Sequence, residues 1–346
     1  MIRRRSLLKT GAAAAVAGPI FQSFSQQAVS LRMHTFMAPT SNVWTIMLKP
    51  WMDKVEKESG GRIRFEGYPA MQLGGTPPQL YDQARDGVAD IVWTLPGYTP
   101  GRFVRGEVFE LPFMMNEAGA TSRAYWEFIQ TQAPDEFKDT KVLALHVHGR
   151  GSFHSTQQIK TVADLKGMKL RAPTRLITRL LAMYGAVPVG MPLPGIPDAL
   201  SKGTIQGVAT AWDVVPSVKV HELTKFSTEF ADEVPAFYTG TFVMAMNRAK
   251  YESLPPDLKQ VIDANSGIDT SAQFGTITQS SDAIGRKAVM DRGNPIYTIS
   301  KAEAAEFIRL AGPLKDEWVA DMNKRGYDGQ KLLASAKSLI AKYAKT

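Results

Sequence analysis

Asp164-Leu165-Lys166-Gly167-Met168-Lys169-Leu170-Arg171-Ala172-Pro173 is the stretch around which the chain is organised. Asp164 and Leu165 read as one turn ahead of Gly167, Met168 to Arg171 read as an extended strand, and Pro173 drives the residue before it out of the helical region. Arg171 therefore stands at the end of a strand. In open α/β sheets the carboxyl ends of strands face the ligand crevice, and a guanidinium there can donate two parallel hydrogen bonds to a carboxylate.

Outward from this stretch, strands and helices alternate, which predicts α/β layers. Upstream, strands are predicted over 30–34, 63–68, 91–94 and 142–148. Helices are predicted from Asn42 to the glycine pair Gly60-Gly61, from Thr76 with Pro77 at its first position to Arg85, and over 121–131. Pro50 falls inside the first helical pattern, so that helix has to kink or begin there. Downstream come a helix to Tyr184, strands over 187–190, 206–210 and 238–247, and a helix over 255–264. From Thr270 to Asp291 the chain holds no proline and predicts one helix of about 30 Å, long enough to be shared by two domains. A strand over 295–299 and three amphipathic helices close the chain.

With 346 residues, 44% hydrophobic and 21% charged, the chain can bury a large core and form two domains. Its net charge is +8, but four of the basic residues, Arg3, Arg4, Arg5 and Lys9, lie in a leader with no acidic residue. The rest is only mildly basic, and its Lys and Arg are scattered without interleaved aromatics, which argues against nucleic acid as a partner. Arg4-Arg5-Ser6-Leu7-Leu8-Lys9 fits a twin-arginine n-region and Gly11 to Ile20 an apolar h-region too short to span a bilayer. Residues 1–28 thus read as a signal peptide and the protein as periplasmic. The chain has no cysteine, so disulfides, thiolate metal ligands and a Cys nucleophile are excluded.

Enzyme motifs are missing. Gly149-Arg150-Gly151-Ser152-Phe153-His154 fits neither a nucleophile elbow nor a dinucleotide loop, and His221-Glu222-Leu223-Thr224-Lys225 lacks the second histidine of a zincin. His146 and His148 alternate onto one strand face with His154 close behind, but no carboxylate at matching spacing completes a metal site. His148 reads instead as facing a cleft or simply hydrogen bonded. No cofactor and no metal are expected.

Leu165-Lys166-Gly167-Met168-Lys169-Leu170-Arg171-Ala172-Pro173 resembles the LKGxKxRxP signature of the solute-binding proteins of tripartite ATP-independent periplasmic (TRAP) transporters, the DctP type. The resemblance extends to Tyr68-Pro69 with Leu73-Gly74-Gly75 and Gly87-Val88-Ala89-Asp90 upstream. Downstream it takes in Gly185 to Val189, Asp198 to Gly207 and Leu254 to Leu258, in the family's order. It implies two α/β domains with central mixed sheets, crossing strands and a long bridging helix, closing on a small carboxylate. Mapped here, it implies residues 29–148 with 238–277 as one domain and 149–237 with 278–346 as the other. Arg171 matches the family's carboxylate-clamping arginine, and Arg150 lies near a second family arginine, one residue further from Arg171 than in the sialic-acid-binding members. Leu193 stands where the family has an aromatic residue, and Thr210 where some members have asparagine.

Trp93, Phe153, Trp212 and Tyr238 are candidate walls, and such aromatics suit a flat or apolar acid, for example an aromatic or branched oxo acid. The resemblance implies a receptor that hands a small carboxylate to the small and large membrane subunits, and a monomer. A sensor using the same cleft, or a periplasmic hydrolase or lyase, are the competing readings.

Overall fold

The computed structural model describes residues 28–344. The leader expected over 1–28 lies, apart from Ala28, outside the described residues. The strands in chain order are β1 (Val29–Thr35), β2 (Ile63–Tyr68), β3 (Ile91–Thr94), β4 (Thr140–Val147), β5 (Gly151–Ser155), β6 (Lys169–Ala172), β7 (Val187–Gly190), β8 (Gly207–Ala211), β9 (Phe226–Phe230), β10 (Thr241–Asn247) and β11 (Ile296–Ile299). They form two sheets, one ordered β2-β1-β3-β10-β4 and the other β11-β9-β5-β8-β6-β7.

In the first sheet β1 pairs parallel with β2 and β3, and β10 enters antiparallel between β3 and β4, with Met244 opposite Trp93. In the second, β6 pairs parallel with β7 and β8, while β5 lies antiparallel to both β8 and β9. The chain thus changes sheet twice through strands, from β4 to β5 and from β9 to β10. The two crossing segments are bonded together: the Gly151 N–H donates to the Tyr238 carbonyl at 3.0 Å, and the Thr239 hydroxyl donates to the His148 carbonyl at 2.8 Å. A Cβ on Gly151 would lie 2.2 Å from the Tyr238 ring, so only glycine lets that ring rest on the crossing backbone.

A third connection is helical. The element expected as one helix over 270–291 comprises Ile268–Ser280 and Asp282–Asp291, interrupted at Ser281. At the break the Ser280 and Ser281 hydroxyls both donate to the Ile277 carbonyl, at 3.0 and 2.7 Å, beside the Ser281 N–H, which donates to the same oxygen at 3.0 Å. The first half packs on β4 and on the helix Ala118–Gln132 beside the first sheet, and the second half on the turn Trp212–Val214 that follows β8. At that contact a Cβ on Gly285 would stand 1.8 Å from the Trp212 carbonyl oxygen, so the backbones meet directly.

Pro50 behaves as expected. A wide helical turn over Val43–Leu48 runs directly into the α-helix Lys49–Glu58, and the widened turn accommodates the N–H that Pro50 lacks. Of the C-terminal helices, Lys301–Ala311 and Pro313–Lys324 pack on Arg175–Met183 beside the second sheet. The last, Gly329–Tyr343, lies along Ala118–Gln132 beside the first sheet, and Lys342 pairs with Glu127 at 2.6 Å.

Candidate ligand-binding site

Between the two sheets lies a cavity of about 40 Å³. On a measure in which one water needs about 10–15 Å³, that is room for a few waters or one small, closely fitted molecule. Its lining is assembled from strand ends: Phe36 and Met37 after β1, Leu95 and Tyr98 after β3, Arg171 and Pro173 at the end of β6, Leu193 after β7, and Thr210 with Ala211 at the end of β8. His148, Tyr238, Gly240 and Phe242 come from the crossing strands, and Thr278 from the long helix. This is the crevice outside the carboxyl ends of the strands, shared between two lobes.

Arg171 is 2% exposed. Its Nε donates to the Met191 carbonyl at 3.0 Å and one Nη to the Ala209 carbonyl at 3.1 Å. These bonds fix the plane of the guanidinium and leave further N–H groups toward the cavity. Among the described residues no carboxylate lies within 4.0 Å of it. A buried cation without a counter-charge is expensive, and an incoming anion removes that expense.

The opposite wall is apolar and aromatic. Trp93 stacks on Phe242 with ring centroids 4.5 Å apart and planes 14° apart, and Phe36 leans on Trp93 at 5.6 Å. The Trp93 Nε1–H donates to His146 at 2.9 Å, which turns the indole and sets its face. Tyr238, 1% exposed, adds a hydroxyl that bonds to no described residue, and burial raises its pKa, so it stays a neutral donor. Asp213 also borders the cavity, next to Asp282, whose carboxylate accepts the Asp213 N–H at 3.1 Å. Burial pushes both carboxyl groups up, and the Asp213 charge raises Asp282 further.

The histidines of the sequence pattern do not converge, and no cluster of metal-ligating side chains occurs among the described residues. His148 lines the cavity and is also hydrogen bonded: its Nδ1 meets the Gly149 carbonyl at 2.6 Å and its Nε2 accepts the Gly240 N–H at 2.9 Å. His154 sits between the hydroxyls of Ser152 and Ser227, each at 2.9 Å. Burial lowers the pKa of His146 and His154 to about 3 and of His148 to about 4. The unfolded chain takes up these protons near pH 6.5 and the folded chain only near 3–4, so each histidine withdraws stability as pH falls below 6.5. The imidazole NMR signals of all three are expected to stay fixed from pH 8 to pH 5; a midpoint near 6.5 for any of them would contradict this burial.

Six of the nine residues singled out from sequence line the cavity: Trp93, His148, Arg171, Leu193, Thr210 and Tyr238. Three do not. Arg150 turns to the far side of the crossing segments, where its guanidinium donates to the carbonyls of Ala231 and Val234 and closes the 231–234 turn. Phe153 packs tilted on Phe237 at 4.6 Å inside the core of the second sheet, and Trp212 meets His154 edge-on at 4.6 Å beneath the long helix. Phe36, Tyr98 and Phe242 take the wall positions instead.

Two mixed α/β lobes, joined by paired crossing strands and enclosing an anion-seeking cavity, define a solute-binding protein of the bacterial extracytoplasmic kind. The family model for bacterial extracellular solute-binding protein, family 7 (DctP), matches residues 34–321, and the chain belongs to that family. A TRAP solute-binding protein from Rhodoferax ferrireducens, crystallised with copurified benzoate, is 64% identical, with a TM-score of 0.91 over 92% of this chain and 99% of that one. A marine metagenome TRAP solute-binding protein specific for aromatic acid ligands, crystallised with 3-hydroxybenzoate, is 47% identical, with a TM-score of 0.90 over 92% of this chain and 99% of that one. A third, from Bordetella bronchiseptica with (R)- and (S)-mandelate bound, is 25% identical, with a TM-score of 0.82 over 91% and 99% of the two chains. The chain is a TRAP solute receptor and not an enzyme, and the family is periplasmic. No helix of the described residues is long and apolar enough to cross a membrane.

Proposed function

We propose that this receptor binds an aromatic monocarboxylate of the benzoate class, its carboxylate on Arg171 and its ring against Trp93, Phe242 and Phe36. The observation that carries this reading is a buried guanidinium, with no carboxylate within 4.0 Å among the described residues, facing a small aromatic-walled cavity. One charged end and one flat apolar body match that lining; a dicarboxylate or sugar acid would leave a second charge or several hydroxyls against it. The benzoate and 3-hydroxybenzoate bound by the two similar proteins support the same class.

The crossing segments at 148–150 and 231–240, with the break at Ser281, act as the hinge between a lobe of 29–148 with 238–277 and a lobe of 149–237 with 278–328. The last helix, tied to Glu127, travels with the first lobe. Closure over the acid forms the surface read by the small and large TRAP membrane subunits. Export by the twin-arginine route and a monomeric state complete the proposal.

Titration calorimetry of the leader-free protein with benzoate, 3-hydroxybenzoate, succinate and a sugar acid tests the ligand class. Binding of the two aromatic acids at least about a hundredfold tighter than the other two is expected; tighter binding of succinate or the sugar acid would reject it.

A further inference from the structure

Tyr98 has an incomplete set of bonds. It ends the short turn Pro96–Tyr98 after β3, and its ring packs on Phe36 at 5.3 Å. Its hydroxyl oxygen accepts the Leu193 N–H at 2.9 Å, a bond that runs from the first lobe to the second. The Arg171 guanidinium stands beside the same hydroxyl. Both neighbours are donors, so the oxygen is engaged while the tyrosine's own hydrogen meets no acceptor among the described residues. Tyr98 is 8% exposed and borders the cavity, so an occupant of the cavity is the partner within reach of that hydrogen.

The surroundings form a ring. Arg171 Nε holds the Met191 carbonyl at 3.0 Å, two residues before the Leu193 N–H that Tyr98 holds. Beside it the Gly97 backbone lies against Thr174 so closely that a Cβ would come within 2.4 Å of the Thr174 methyl. The turn carrying Tyr98 is therefore seated on the second lobe in the closed form.

We infer that Tyr98 is the residue that couples ligand binding to closure: its O–H donates to the carboxylate held by Arg171 while its oxygen keeps the Leu193 N–H across the cleft. Donation to an anion polarises the hydroxyl and strengthens its acceptor side, so an occupied site tightens the interlobe bond. In an open form Leu193 returns to water, and the ligand gains this contact only on closure, which is the differential affinity a population shift requires. The inference rests on the aromatic-acid reading above.

Tyr98→Phe tests it, since the substitution removes one oxygen and leaves the ring packing. With benzoate as the probe, calorimetry is expected to give a dissociation constant about 10- to 100-fold weaker than wild type, the loss of a hydrogen bond to a charged group. Hydrogen exchange over 191–196 adds a readout that ring packing alone would not move. Leu193 carries the amide in that segment that bonds across the cleft, so benzoate should protect it in the wild type and not in Tyr98→Phe. Affinity within twofold of wild type, or protection of 191–196 preserved in the variant, would overturn the coupling while leaving the ligand class intact. Failure of the wild type to bind benzoate would overturn both.

Discussion

Arg171→Ala abolishes tight binding of benzoate, raising the dissociation constant by roughly two to three orders of magnitude. The carboxylate would still have to leave water, but the guanidinium that replaces its hydration would be gone, and an unpaired buried charge costs about 3–5 kcal/mol. Arg171→Lys should fall between, because an ammonium keeps the charge but cannot hold the Met191 and Ala209 carbonyls while presenting a planar fork to the ligand. The ligand-free protein should respond in the opposite direction. Among the described residues no carboxylate lies within 4.0 Å of the buried Arg171 guanidinium, so Arg171→Met removes a desolvated cation and should leave the protein, without added acid, at least as stable as wild type. Calorimetry and thermal unfolding of the same variants check both halves. Affinity that survives Arg171→Ala would remove the clamp from the account.

Trp93→Ala is the second large effect, and it acts on stability. The indole is 1% exposed, stacks on Phe242 at 4.5 Å and donates to His146 at 2.9 Å. Deleting it leaves a void beside the ligand cavity and an imidazole nitrogen without its donor, together about 3–5 kcal/mol of destabilisation. A guanidinium-chloride unfolding curve should show the midpoint falling with its slope unchanged. Trp93→Phe, which retains a ring but loses the donor, should cost less. A loss below about 1 kcal/mol for Trp93→Ala would mean that this wall is not packed as described.

Much of this architecture was legible in residue patterns because the elements carry local marks. Thr76 with Pro77 and Gln79 forms the capping box that opens its helix, and the strands at 63–68, 91–94 and 187–190 fall between turn residues where they were read. Strands β5 and β9 carry no such mark. Gly151-Ser152-Phe153-His154-Ser155 is fully buried, yet it is half polar, because its polar side chains bond to one another and to Ser227 in place of facing water. Polarity there mimics a surface loop, and only the neighbouring strands reveal otherwise.

The site divides along a similar line. Arg171 could be found because Leu165 to Pro173 resembles the family signature that carries the clamping arginine, on a strand that ends at a proline where strand ends face the crevice. Phe242 could not, since all seven residues of β10 are buried and an unbroken apolar run does not say which face meets a cavity. Arg150 had the right charge near the right hinge, but three carbonyls of the 231–234 turn claim its guanidinium. Trp212 is a large aromatic one position away from cavity-lining residues on both sides, and Phe153 one on a strand that follows the crossing segment. Their strand and turn geometry points them into the core of the second lobe, which depends on registers that the sequence does not print.

The central claim is that an aromatic acid is carried in the interlobe cavity with its carboxylate on Arg171. A crystal structure of the protein with benzoate tests it most directly. The account predicts closed lobes, two carboxylate oxygens within hydrogen-bond distance of the Arg171 guanidinium, and the ring against Trp93 and Phe242. Benzoate bound elsewhere, or in this cavity with its carboxylate turned away from Arg171, would contradict it.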